Sequence, residues 1–342
     1  MHAISAADSV SLAIQRTREL LFRPFNWGTY LKLGLVAIIT EGIGGHLQSS
    51  THGGPPPGHG PMIYSPFDIP PVRIAAAVAA VMLAILLCIV IFYLITRLRF
   101  AFFHCLIHNT SEIRPGWWLY RAQANRFFWL NIGVGFCYLL LLALISLPFV
   151  AGFIRLFHET PQGGHPDLGL LLALVLPLIP VIFLLVLVGV LADVVLRDWM
   201  LPHFALEDAT AGEAWEEVWD RIKADTRQFI VYALLRLILP AIAMIGLFIV
   251  LIIPGLMLAG SVAAIEYGIH SVFADATGAA ALVGVLLEVF FGVVAFGFAL
   301  LAGICLGGPV STGVREYALI FYGGRYQVLG DILYPPPPPL VV

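Results

Sequence analysis

The sequence is short of charge. Only 11% of its 342 residues are Asp, Glu, Lys or Arg and 60% are hydrophobic, whereas soluble domains carry about 25% charged and roughly 45–50% apolar residues. So few charges cannot coat a globule with that much apolar content, and an ordinary soluble protein is excluded. Cysteine is scarce too: the 4 present, Cys88, Cys105, Cys137 and Cys305, lie in or beside apolar runs, which argues against a disulfide framework. None of the patterns G-x-x-x-x-G-K-[ST], G-x-G-x-x-G and G-x-S-x-G occurs, so nucleotide and serine-hydrolase chemistry through those loops is removed. With 18 basic against 21 acidic residues, no basic stripe dense enough for nucleic acid exists. No cofactor is implied.

Long apolar runs are what the chain does have. A helix crossing a hydrocarbon core of about 30 Å needs about 20 apolar residues, and six segments are read as spans: 27–45, 74–96, 128–154, 170–196, 229–253 and 279–306. The expected fold class is all-α, a polytopic transmembrane helical bundle with six spans and cytoplasmic amphipathic helices. One integral membrane domain covers 1–334, a Gly/Pro-rich external loop covers 46–72, and a proline-rich tail covers 335–342. The Pro254-Gly255 pair reads as a break, with 256–274 interfacial or re-entrant.

Most of the basic residues fall on one side of these spans, so both termini are expected in the cytoplasm of a multi-pass cell-membrane protein. The N-terminus lacks the apolar core and cleavage site of a signal peptide and is expected to be retained.

A unit repeats three times, at 11–35, 114–134 and 212–235: a short helix with basic and aromatic residues leads directly into a span. The third copy opens with Thr210-Ala211-Gly212-Glu213, a capping-box pattern. Helices of this kind suit the inner headgroup plane or the ends of the spans.

The sequence resembles a bacterial family of six-span membrane proteins similar to the membrane domain attached to glycerophosphodiester phosphodiesterases. Pro202, Glu207, the stretch EAWEEVWDRIKADTRQF (213–229) and the ending GGPVSTGVREYALIFYGG (307–324) carry the resemblance. It implies a six-helix membrane fold and no activity, because the phosphodiesterase chemistry needs a soluble barrel domain.

Charges inside spans cost roughly 2.5–3.5 kcal/mol each on insertion scales and mark the candidate site. From depth along the helices, Asp193 is expected to pair with Arg236, joined by Lys32. Glu41 and Glu288 are expected to approach each other in the outer half, where a shared proton would begin a relay. Two further pairs have ligand spacing: His104 with His108, and Glu266 with His270. In the first, Cys105 stands where H-E-x-x-H needs its glutamate, so metalloprotease chemistry is not expected. His46, His52, His59, His158 and His165 are all read as external.

The leading reading is a non-enzymatic membrane protein interacting with membrane lipids, other membrane proteins or itself. A transporter or channel using the interior carboxylates is the alternative, and an intramembrane metalloenzyme the third.

Overall fold

A computed structural model describes residues 4–23, 25–42, 71–159, 168–273 and 277–334. The tail at 335–342, residues 46–70 of the external loop, and His46, His52, His59 and His165 lie outside them.

All regular structure among the described residues is helical. In chain order the elements are α1 (Asp8–Phe22), α2 (Trp27–Ala37) continuing as a π turn (Ile38–Gly42), α3 (Pro71–Ile107), α4 (Ile113–Leu119), α5 (Arg121–Glu159) and α6 (Leu168–Val194). A second π turn (Val195–Met200) leads into α7 (Leu201–Leu206), and α8 (Ala211–Ala224), α9 (Thr226–Phe273), α10 (Ala279–Gly323) and α11 (Gln327–Leu333) follow. Among the described residues, five helices are long and apolar enough to cross a membrane. The expected span at 27–45 is different: its described part is 11 α-helical residues and a 5-residue π turn.

The expected break at Pro254-Gly255 is absent. α9 runs unbroken for 48 residues through Pro240 and Pro254, about 72 Å at the α-helical rise. Proline inside a membrane helix is tolerated because neighbouring groups re-satisfy the freed carbonyl. Residues 256–273 are therefore the far end of this helix. Gly278, at φ 64°, turns the chain into α10, which returns alongside.

The buried core sits at one end of the bundle, here called the base. Phe100, Phe102, Phe103, Phe127, Phe204, Tyr232, Phe321, Tyr322 and Tyr326 are all fully buried there. Beyond the base the helices expose most of their side chains, as at Leu83, Phe183, Phe248 and Phe296. Apolar surface on that scale needs lipid.

Each copy of the repeated unit is a short helix followed by another helix: α1 and α2, α4 and α5, α8 and α9. α1 buries Ser9, Ala13, Thr17 and Leu21, a four-residue period that places one face against α10. α2 also meets α10 closely: a Cβ on Gly308 would lie 2.6 Å from Gly34 Cα. Gly303 has open space beside it and Ala75, Ala79 and Ala80 are exposed, whereas a Cβ on Gly307 would lie 3.3 Å from Ile38 Cδ1.

The capping box forms. Thr210 N–H donates to Glu213 Oε2 at 2.8 Å, and Glu213 N–H donates to Thr210 Oγ1 at 3.4 Å. Ala214 and Val218 of α8 are buried, while Trp215 and Trp219 are exposed and stack on each other. Thr210→Ala is expected to cost about 1 kcal/mol, read as faster amide exchange confined to α8. The Thr210 amide holds the Glu213 carboxyl below its ordinary range. This contribution is therefore present above the unfolded carboxylate pKa and is lost as pH falls through the lowered folded value. The protection of α8 amides relative to their intrinsic exchange rate should fall on acidification in the native chain and lose that dependence in Glu213→Gln.

Candidate functional site

Four long helices each carry an arginine roughly eight to ten residues from their base end, about 12–15 Å along the axis: Arg99 of α3, Arg197 in the π turn before α7, Arg236 of α9 and Arg315 of α10. The shared level gathers them into one layer above the aromatic core. Asp198, fully buried, is its hub. Its Oδ1 accepts from Arg315 Nη1 at 2.8 Å, and its Oδ2 accepts from Tyr232 Oη at 2.7 Å and from Arg236 Nε at 3.0 Å. Glu41, in the first π turn, takes Arg236 Nη2 at 3.0 Å and lies 3.8 Å from Arg197 Nη1. Asp193 makes an ion pair with Arg197, its Oδ1 2.7 Å from Nε.

Arg99 differs from the other three. Its Nε donates to the Thr40 carbonyl at 3.3 Å, and among the described residues no carboxylate lies within ion-pairing distance of it. The residue is buried. Its side chain borders a narrow cleft with Thr40, Glu41, Phe102, Arg197, Leu201 and Arg315. With all groups ionised, the layer sets four guanidinium charges against the three carboxylates Glu41, Asp193 and Asp198, leaving one positive charge over.

The expected partners are thus rearranged. Arg236 engages Asp198 and Glu41 in place of Asp193, which pairs four residues along its own helix. Lys32 is exposed and makes no ion pair among the described residues. Glu41 and Glu288 are held by different partners: Glu288 Oε1 lies 3.3 Å from His270 Nδ1 across the α9–α10 hairpin, both groups being exposed. Glu266 lies near Gly292 on the facing arm. His104 and His108 are adjacent, with ring centroids 4.5 Å apart. Neither they nor Glu266 and His270 gain a third ligand among the described residues. Asp198, Arg99, Arg197 and Arg315 escape a hydropathy reading because each lies at or past the edge of an apolar window, where basic residues are assigned to loops.

Two more charge clusters lie in the base. Arg16 of α1 reaches Glu316 of α10, Nε to Oε2 at 3.2 Å, while its Nη2 donates to the Leu106 carbonyl at 2.9 Å. His203 of α7 contacts Glu207 through Nδ1 at 3.1 Å and Tyr322 Oη through Nε2 at 2.6 Å. The ligand atoms of His203, Glu207 and Glu217 all lie within 4.8 Å of one another.

Compared with known proteins, residues 4–332 match the model of one family, described as Family of unknown function (DUF7544). No curated protein and no solved structure matches.

Proposed function

We propose, for a chain that belongs to this family, a non-enzymatic role in the membrane in which the arginine layer of the base holds one anionic headgroup, the singly charged phosphodiester of an acidic phospholipid. The observation carrying the reading is Arg99, buried and with no carboxylate within ion-pairing distance among the described residues, Asp193 and Glu41 attracting it only from farther off. A guanidinium does not release its proton in proteins, and a buried charge left unpaired costs several kcal/mol. A monoanion reaching Arg99, Arg197 and Arg315 would balance the layer, and arginine's fork of donors suits phosphate oxygens. Their cleft is too narrow to admit a water molecule, so these side chains must part to take it. Glu41 borders the same cleft, but its charge is already engaged by Arg236 and Arg197.

The surroundings suit a headgroup level. Trp27, Trp118, Trp129, Trp215 and Trp219 are all exposed around the base, the placement of an interfacial aromatic belt. The excess of basic residues in the base segments orients this end and both termini toward the cytoplasm. The sixth span at 27–45 and the resemblance to the phosphodiesterase-attached membrane domain belong to this reading as well. Transport by a carboxylate relay is less well supported, since Glu41 and Glu288 do not share a site.

The test is thermal unfolding of the full chain in neutral detergent, with acidic phospholipid, zwitterionic phospholipid or inorganic phosphate added. The acidic lipid is expected to raise the midpoint, by the equivalent of about 2.7 kcal/mol at a hundredfold excess over Kd. The zwitterionic lipid should not, and Arg99→Met should lose the response while folding normally. Stabilisation by inorganic phosphate alone would reassign the ligand to a soluble anion. An unchanged response in Arg99→Met would refute the site.

A further inference from the structure

We infer that His203, Glu207 and Glu217 form a binding site for a single divalent transition-metal ion, of the zinc or manganese class, that ties α7 to α8. The inference stands apart from the lipid reading and uses none of the same side chains.

The three donors come from two elements. His203 and Glu207 are four residues apart across the end of α7, so they face the same side of one turn, and Glu217 comes from the second turn of α8. Their ligand atoms lie within 4.8 Å of one another, and the His203 Nδ1 to Glu207 Oε2 separation of 3.1 Å is close to the edge of a tetrahedron with metal–ligand bonds of about 2.0–2.2 Å. One imidazole with two carboxylates is a donor set suited to such ions, with an open position for water.

The imidazole is already oriented for this work. His203 is fully buried, its ring lies 4.3 Å from that of Tyr326, and Nε2 is 2.6 Å from Tyr322 Oη. Without an ion, Nδ1–H donates to Glu207 and Nε2 accepts from Tyr322 Oη. A metal displaces the Nδ1 proton; the proton then sits on Nε2 and is donated to Tyr322 Oη, and the Nδ1 lone pair points at the ion. This is the arrangement in which a hydrogen bond behind a ligating histidine sets its tautomer. The carboxylates are the solvent-facing side: the Glu207 and Glu217 side chains are 37% and 50% exposed, which leaves an approach for the ion.

Charge favours a cation. The groove along α8 is lined by Glu213, Glu216, Glu217 and Asp220 with Arg221. Arg221 donates to Glu217 Oε2 at 2.5 Å, but it also donates to the Glu217 carbonyl at 3.1 Å, and its guanidinium lies 5.0 Å from the Tyr326 ring centroid. It is anchored without the carboxylate, so Glu217 can turn an oxygen to the ion.

The experiment is titration of the purified, chelator-treated full chain in detergent with Zn2+, and separately with Mn2+, by calorimetry and elemental analysis. One equivalent is expected to bind, with affinity reduced at least tenfold in both Glu207→Gln and Glu217→Gln. Both substitutions are at solvent-facing carboxylates, so the fold should survive them. Tyr322→Phe, which removes only the hydroxyl behind His203, should weaken binding by about 10–100-fold, while Glu216→Gln, outside the donor set, should not change it. The absence of saturable binding of either ion would overturn the proposal. So would equal losses in Glu216→Gln and Glu217→Gln, which would mean diffuse attraction by the acidic groove.

Discussion

Asp198→Ala is expected to destabilise the protein by about 3–5 kcal/mol, the range for removing one partner from a buried ion pair. The carboxylate accepts from Arg315, Arg236 and Tyr232 at 2.7 to 3.0 Å. Truncation leaves Arg315 Nη1, Arg236 Nε and the Tyr232 hydroxyl without this acceptor at a buried position, although Arg236 keeps Glu41. It also raises the uncompensated charge of the arginine layer from one to two. Asp198→Asn keeps the shape and one acceptor oxygen and should cost less than the alanine. Thermal unfolding in detergent, followed by near-ultraviolet circular dichroism and by loss of the monodisperse size-exclusion peak, measures both. If the loss comes from stranded charge, adding Arg315→Met to Asp198→Ala should restore part of it, whereas independent sites would give additive losses.

Tyr232→Ala has an effect of similar size from a different cause. The ring is fully buried, nearly parallel to Phe321 at 4.3 Å and Tyr317 at 5.0 Å, with Trp199 5.8 Å away. Emptying that space should cost about 3–5 kcal/mol. Tyr232→Phe keeps the packing and removes only the hydrogen bond to Asp198, roughly 1.5–3 kcal/mol for a bond to a charged group. The ordering Ala worse than Phe worse than native, measured by the same unfolding transition, separates the packing share from the electrostatic one. Equal effects of the two substitutions would contradict the stacked geometry.

Much of this architecture was legible in the sequence, and what was not has physical reasons. Hydropathy located five long helices, because the free energy of placing 20 apolar residues in lipid dominates every other local preference. The Thr210–Glu213 cap was legible because it is a local four-residue device. The end of each helix was not legible. α3, the π turn with α7, and α10 all continue past their apolar windows, so Arg99, Arg197 and Arg315 resemble loop residues in sequence yet are buried among packed helices. The Asp193–Arg236 pairing failed for a related reason. Rise along a helix gives depth, but not the direction a side chain takes around the axis. The π turn at Val195–Met200 adds a residue to that turn, and Asp198 is the carboxylate turned toward Arg236. Pro254-Gly255 misled because proline's cost in water does not transfer to a helix embedded in lipid. The His203–Glu207 spacing was readable by the rule applied to Glu266 and His270, but Glu217 joins it only through the turn between α7 and α8, which no local pattern encodes.

The measurement that bears most directly on the arginine layer is native mass spectrometry of the full chain released from mild detergent after extraction from its membrane. One retained acidic phospholipid per native chain, and none on Arg99→Met of equal stability, is the result expected from a layer that carries one positive charge too many. A native chain that flies without lipid, or an Arg99→Met chain that retains the same lipid to the same extent, would contradict it.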